Sequence, residues 1–68
     1  MASDFTYDGI ESNQCGFTEK ATGMKYWLPV PDPRDSAVTL LDGDEVKIPT
    51  RYSQYVWSIR ERRVTRRE

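Results

Sequence analysis

Histidine is absent from this chain, and cysteine occurs once, at Cys15. Without an imidazole there is no general base of the usual kind to activate a serine or cysteine nucleophile, and no Cys/His zinc site can form. A single thiol also excludes an intramolecular disulfide. The four glycines (Gly9, Gly16, Gly23, Gly43) stand apart from one another, so no glycine-rich phosphate loop is present. No apolar run approaches the roughly 18 residues that a membrane-spanning helix requires. The opening Met-Ala-Ser-Asp-Phe lacks the basic and apolar regions of a signal peptide. These absences set the expectation of a soluble, cytoplasmic, non-enzymatic protein with no catalytic residue, metal, cofactor, small-molecule substrate or membrane association. Cys15 itself reads as a small, half-buried thiol packed in a strand.

Lysine is missing from residues 51–68, whereas arginine is dense there. Residues 1–50 carry nine acids against four bases, a net −5, and residues 51–68 carry six arginines against Glu61 and Glu68, a net +4. The overall charge of −1 therefore hides a chain divided by sign along its length.

A chain of 68 residues makes one small domain, whose core supplies only about 3–5 kcal/mol of net stability. With disulfide and zinc staples excluded, stability falls to packing or self-association. The eight aromatics Phe5, Tyr7, Phe17, Tyr26, Trp27, Tyr52, Tyr55 and Trp57 supply material for the former.

Asp4 to Tyr7 alternates polar with aromatic and meets the turn dipeptide Asp8-Gly9, which predicts a short strand ending there. Residues 11–14 read as loop. Cys15–Lys20 and Met24–Pro29 flank Ala21-Thr22-Gly23, a three-residue turn setting Glu19 opposite Lys25 and Phe17 opposite Trp27. Leu28 to Arg34 carries proline at every second position, a stiff connector or sheet edge whose spacing does not meet the PxxP pattern. Ala37–Leu41 and Glu45–Pro49 form a second hairpin around Asp42-Gly43-Asp44. A three-residue loop pairs Leu40 with Val46 and Val38 with Ile48 on one apolar face, with Thr39 and Lys47 on the other, and no other register gives a clean face. The acids of Asp42-Gly43-Asp44-Glu45 end too soon for a calcium loop and suit a tight turn.

Residues 51–64 fit two patterns. Tyr55, Trp57 and Ile59 alternate with polar neighbours as in a strand, while Tyr52, Tyr55, Val56, Ile59 and Arg63 fit a helical stripe capped by Thr50. The fold expected is all-β: a small curled antiparallel sheet or SH3-sized barrel of two hairpins plus N- and C-terminal strands. Its alternative is α+β, with a C-terminal helix over residues 51–64. The domain spans residues 1–64, and residues 65–68 are expected to be a disordered basic tail.

Arg60, Arg62, Arg63, Arg66 and Arg67, with Tyr52, Tyr55 and Trp57 upstream, form the candidate binding segment. Guanidinium forks grip carboxylate or phosphate bidentately, and Arg, Tyr and Trp dominate interface hot spots. Two function classes follow. One is a non-catalytic protein-binding module (a small inhibitor, adaptor or self-assembling subunit) that sets these arginines against an acidic surface, including that of another copy of the chain. The other is nucleic-acid binding, with the aromatics stacking on bases. The acidic body and the pI of about 5.4 favour the first, since a net-negative body repels a phosphate backbone.

Overall fold

The structure, a computed structural model, describes residues 2–68. Its regular elements are strands β1 (Phe5–Glu11), β2 (Gln14–Glu19), β3 (Lys25–Leu28), β4 (Thr39–Leu40), β5 (Glu45–Pro49), β6 (Gln54–Ser58) and β7 (Arg63–Arg67), with one 3-10 turn over Asp35–Ala37. All-β is therefore the fold class. The strands form two antiparallel sheets, β1-β2-β3 and β4-β5-β6-β7. The described residues form neither the single curled sheet nor a closed barrel.

Phe5, Cys15, Phe17 and Leu28 from the first sheet meet Val46, Ile48 and Trp57 from the second, and Val30 and Ile59 join them from the connecting segments. Removing these side chains from water is what makes two small sheets stay together. Proline spacing holds the connector extended after β3, and Pro33 then bridges Thr50 while the Arg34 N–H donates to the Pro49 carbonyl.

The second hairpin has the register its alternation dictates: Thr39 faces Lys47 and Leu40 faces Val46, with Gly43 at φ +69° inside the turn. The first sheet departs from expectation twice. Asp8-Gly9 does not end β1; the ladder slips there, Gly9 takes φ +101°, and the strand continues to Glu11. The turn falls instead at Ser12 and Asn13, both at positive φ as a two-residue hairpin turn requires. A bulge suits Asp8 because its carboxylate then accepts from the Thr18 hydroxyl and pairs with Lys25.

The β2–β3 loop is one residue longer than expected. Phe17 faces Tyr26, Thr18 faces Lys25 and Gly16 faces Trp27, so the pairings of Glu19 with Lys25 and Phe17 with Trp27 do not form. The one-residue slip exchanges the faces of β3: Tyr26 and Leu28 turn toward the core, and Trp27 lies on the outer face. Thr22 fixes the longer loop, donating to Glu19 Oε1 at 2.7 Å and accepting from the Met24 N–H.

The C-terminal segment is strand and not helix. Thr50 does cap a turn, but the turn is the β5–β6 connection, where its hydroxyl receives the N–H groups of Tyr52 and Ser53. Beyond Ser58 the chain reverses at Ile59–Arg62, with Arg62 at φ +58° and its N–H on the Ser58 carbonyl, and returns as β7. The disordered tail expected at 65–68 is thus replaced by a paired strand that extends to the Glu68 N–H, which donates to the Gln54 carbonyl at 2.8 Å. Val64 and Thr65 are β-branched, and cross-strand pairing supplies the order that their own apolar content does not.

Glycine at position 16 has a packing cause. A Cβ there would stand 2.8 Å from the Trp27 ring, so the indole lies directly on the strand backbone. Gly16→Ala, ordinarily favourable in a strand, is expected to displace the indole and cost about 1–2 kcal/mol. A lower urea midpoint with red-shifted tryptophan emission is the predicted result; an unchanged or raised midpoint contradicts it.

Candidate functional site

The eight residues of the binding segment do not share one surface role. Trp57 belongs to the core and is 9% exposed, opposite Val46. Tyr55 is half-buried against the same core. Only Tyr52, at the crest of the β5–β6 turn, stands free, with 78% of its surface exposed.

Arg60, with 43% of its side chain exposed, reaches from the turn after β6 across to the first sheet. Its guanidinium reaches Glu19 Oε2 at 2.7 Å and Asp4 at 3.3 Å, and its Cζ lies 5.1 Å above the centre of the Phe5 ring. Glu19 is 9% exposed and sits opposite Phe5 at the end of β2, so the pair closes one end of the core. The Thr22 hydroxyl and then the Arg60 guanidinium hold the Glu19 carboxyl below the usual carboxylate range. Glu19 in turn raises the affinity of Arg60 for its proton.

Arg62 caps the next aromatic, with its Cζ 5.6 Å from the Tyr26 ring centre, and Tyr26 meets Phe5 edge-to-face at 5.4 Å. Cation, ring, ring and cation therefore run in series across the end of the first sheet. An open cleft beside them, lined by Ser3, Asp4, Lys20, Ala21 and Arg60, offers Arg60 and Ser3 groups that are already hydrogen-bonded within the fold.

Arg66 forms a second cluster, at the surface, on the outer face of the β5–β6–β7 sheet. Its Nη1 donates to both Glu45 carboxylate oxygens at 3.1 and 3.2 Å, and its Nε approaches Glu68, which also pairs with Lys47. Val56, on this face between Lys47 and Arg66, is fully buried although it lies outside the main core. The stems of the charged side chains beside it supply the apolar cover.

Two arginines differ from these. Arg63 pairs with Glu61 at 3.0 Å, both side chains well exposed, and such a pair contributes little. Arg67, opposite Tyr55 on β7, has no ion-pair partner among the described residues. Both lie on β7, an edge strand whose five residues are all exposed. Sequence reasoning overlooked Glu19, Glu45, Phe5 and Tyr26 as the residues that sort these arginines. No local signal reveals them, because Glu19 and Arg60 are 41 positions apart.

Cys15 is buried in β2, and burial, followed by the charge of Asp35, pushes its thiol up to about 11. The Tyr7 hydroxyl, itself raised by burial and by its hydrogen bond to Asp35, opposes the shift on Cys15 only in part. The thiol is thus protonated and covered at neutral pH. Iodoacetamide at pH 8 is expected to leave Cys15 unmodified in the folded chain and to alkylate it in denaturant; equal rates in both states contradict this burial.

The Glu19 carboxyl gives a signed pH effect. Its folded pKa lies below the unfolded value, so its contribution is complete at neutral pH and disappears as pH falls through the folded value. The urea midpoints of the parent chain and of Glu19→Gln should therefore differ most near neutrality and converge in strong acid. A gap that stays constant through the acid range removes the ion pair as its source.

Comparison with family models, curated proteins and solved structures finds no match to this chain, so its site is read from its own geometry.

Proposed function

We propose that the chain is a non-catalytic protein-binding module that presents arginines of its C-terminal hairpin to an acidic surface. The observation that carries this reading is the division within the segment. Arg60 and Arg66 are engaged by Glu19, Asp4 and Glu45 of the fold, while Arg67 has no ion-pair partner among the described residues and Arg63 has only the exposed Glu61. Arg62, on its ring, continues the cationic line at the turn. Tyr52 adds an exposed aromatic at the opposite end of the same strand, since the β5–β6 turn lies beside Glu68 through the Gln54 hydrogen bond. Exposed arginine and tyrosine are the residue types that anchor protein interfaces.

The nucleic-acid reading needs stacking aromatics, and of its three candidates only Tyr52 is free. The non-catalytic part of the proposal draws support from Cys15, whose thiol is held in its unreactive form.

The test replaces Arg63 and Arg67 together with glutamine, leaving the contacts of Arg60, Arg62 and Arg66 intact. The double variant should keep the parent's far-ultraviolet spectrum and lose capture of protein partners from lysate by about tenfold or more, the loss expected when roughly 1.4 kcal/mol of binding is removed. Capture by the parent should survive nuclease treatment. Undiminished capture by the variant, or capture that nuclease abolishes, overturns the proposal.

A further inference from the structure

Arg63 and Arg67 lie on β7, which is an edge strand. Glu68 donates inward to Gln54, so by the alternation of an antiparallel ladder the N–H and C=O of Arg67 are directed away from β6, where the sheet has no further strand. The other sheet edges are less available. β4 has two residues, and β3 has four and ends against Pro29. The approach to β1 is also occupied, because the Asp4 N–H donates to the Gly43 carbonyl and Ser3 bridges Gly43. β7 is five residues long and exposed throughout.

We infer that β7 takes an extended acidic protein segment as an added strand, which rests on the protein-binding reading above and names the form of its partner. Two physical features select the occupant. Bringing β7 against a second copy of itself would place Arg63, Arg66 and Arg67 against the same arginines, and like charges across strands are destabilising. The edge therefore rejects its own copy, as natural edges protected by charge do. A strand carrying glutamate or aspartate on both of its faces reverses that sign: it satisfies the outward backbone groups and meets Arg63, beside Ser58, on one face of the sheet and Arg67, beside Tyr55, on the other.

The ladder slips opposite Val56 and Trp57, where the Thr65 hydroxyl donates to the Val56 carbonyl, and the slip sets Arg63 and Arg67 on opposite faces of the sheet. A phosphate chain offers no row of amides and carbonyls to such an edge, so backbone pairing distinguishes the two partner classes.

The experiment titrates the full chain with the peptide Glu-Glu-Val-Glu-Glu-Val-Glu, which has acids on both faces, by calorimetry and by amide exchange. Parallel titrations use the same peptide N-methylated at alternate amides and a single-stranded oligonucleotide. Strand addition predicts that the parent peptide binds, slows exchange of the Arg67 amide and loses about tenfold or more in affinity on N-methylation of its ladder-facing amides. Arg63→Gln with Arg67→Gln should weaken it comparably without moving the urea midpoint. Equal binding of the N-methylated peptide, or no peptide binding while arginine-dependent capture from lysate persists, overturns strand addition alone. Tighter binding of the oligonucleotide than of the peptide overturns both this inference and the reading on which it rests.

Discussion

The ion pair of Glu19 with Arg60 is the contact on which the arrangement of the two sheets turns. Glu19 ends β2 on the core-facing side, 9% exposed and directly opposite Phe5. A carboxylate so placed is tolerated only with a partner of opposite charge and satisfied oxygens. Thr22 supplies the hydrogen bond from its own sheet, and Arg60 supplies the charge from the turn that follows β6 in the other. The same guanidinium covers the Phe5 ring, so one side chain both neutralises the acid and seals the apolar end of the core. Without a disulfide, this cross-sheet contact joins apolar burial and the Asp4 and Ser3 bonds to Gly43 in tying the two hairpin systems together.

The division of charge along the sequence therefore does not survive as a division in space. β7 turns the basic end back along the acidic body, and Arg66 settles on Glu45 across the sheet. That network has a packing consequence as well as an electrostatic one, because Val56 is buried beneath it on the face away from the core. A valine in such a position lets a four-stranded sheet be covered on both faces, one by the other sheet and one by long charged stems. The positive character left to the segment then concentrates at Arg62, Arg63 and Arg67, on the turn and the edge.

What the sequence discloses follows the range of the interactions involved. The Asp42-Gly43-Asp44 hairpin was legible because turn chemistry and side-chain alternation agree within eleven residues or so, a span over which register is locally determined. The first hairpin was legible as a hairpin but not in register. The slip is decided by Gly16 beneath Trp27 and by the two core places taken by Tyr26 and Leu28, which no turn dipeptide encodes. Asp8-Gly9 was misread because the same residues serve turns and bulges. β7 was illegible for a different reason: its reversal at Ile59–Arg62 contains neither glycine nor proline, and Arg62 carries the left-handed backbone that glycine would have announced. The candidate arginines could be found by composition, but their sorting into internal and external could not, because it depends on acids and rings far away in the chain.

That sorting also reinterprets the absence of lysine. Arginine alone suggested planar recognition of an outside ligand, yet the internal contacts already demand planarity. Arg60 lies over Phe5 while its Nε and Nη2 both donate to Glu19 Oε2, and Arg62 lies over Tyr26, contacts that suit a flat, delocalised cation. Arg60, Arg62 and Arg66 each have a partner within the fold, so the lysine-free composition carries less weight for an external partner. The weight moves to Arg63 and Arg67, whose charges the fold leaves exposed, and to the strand that bears them. There the charge that keeps one copy's edge from pairing with another's also sets the sign of any strand that can.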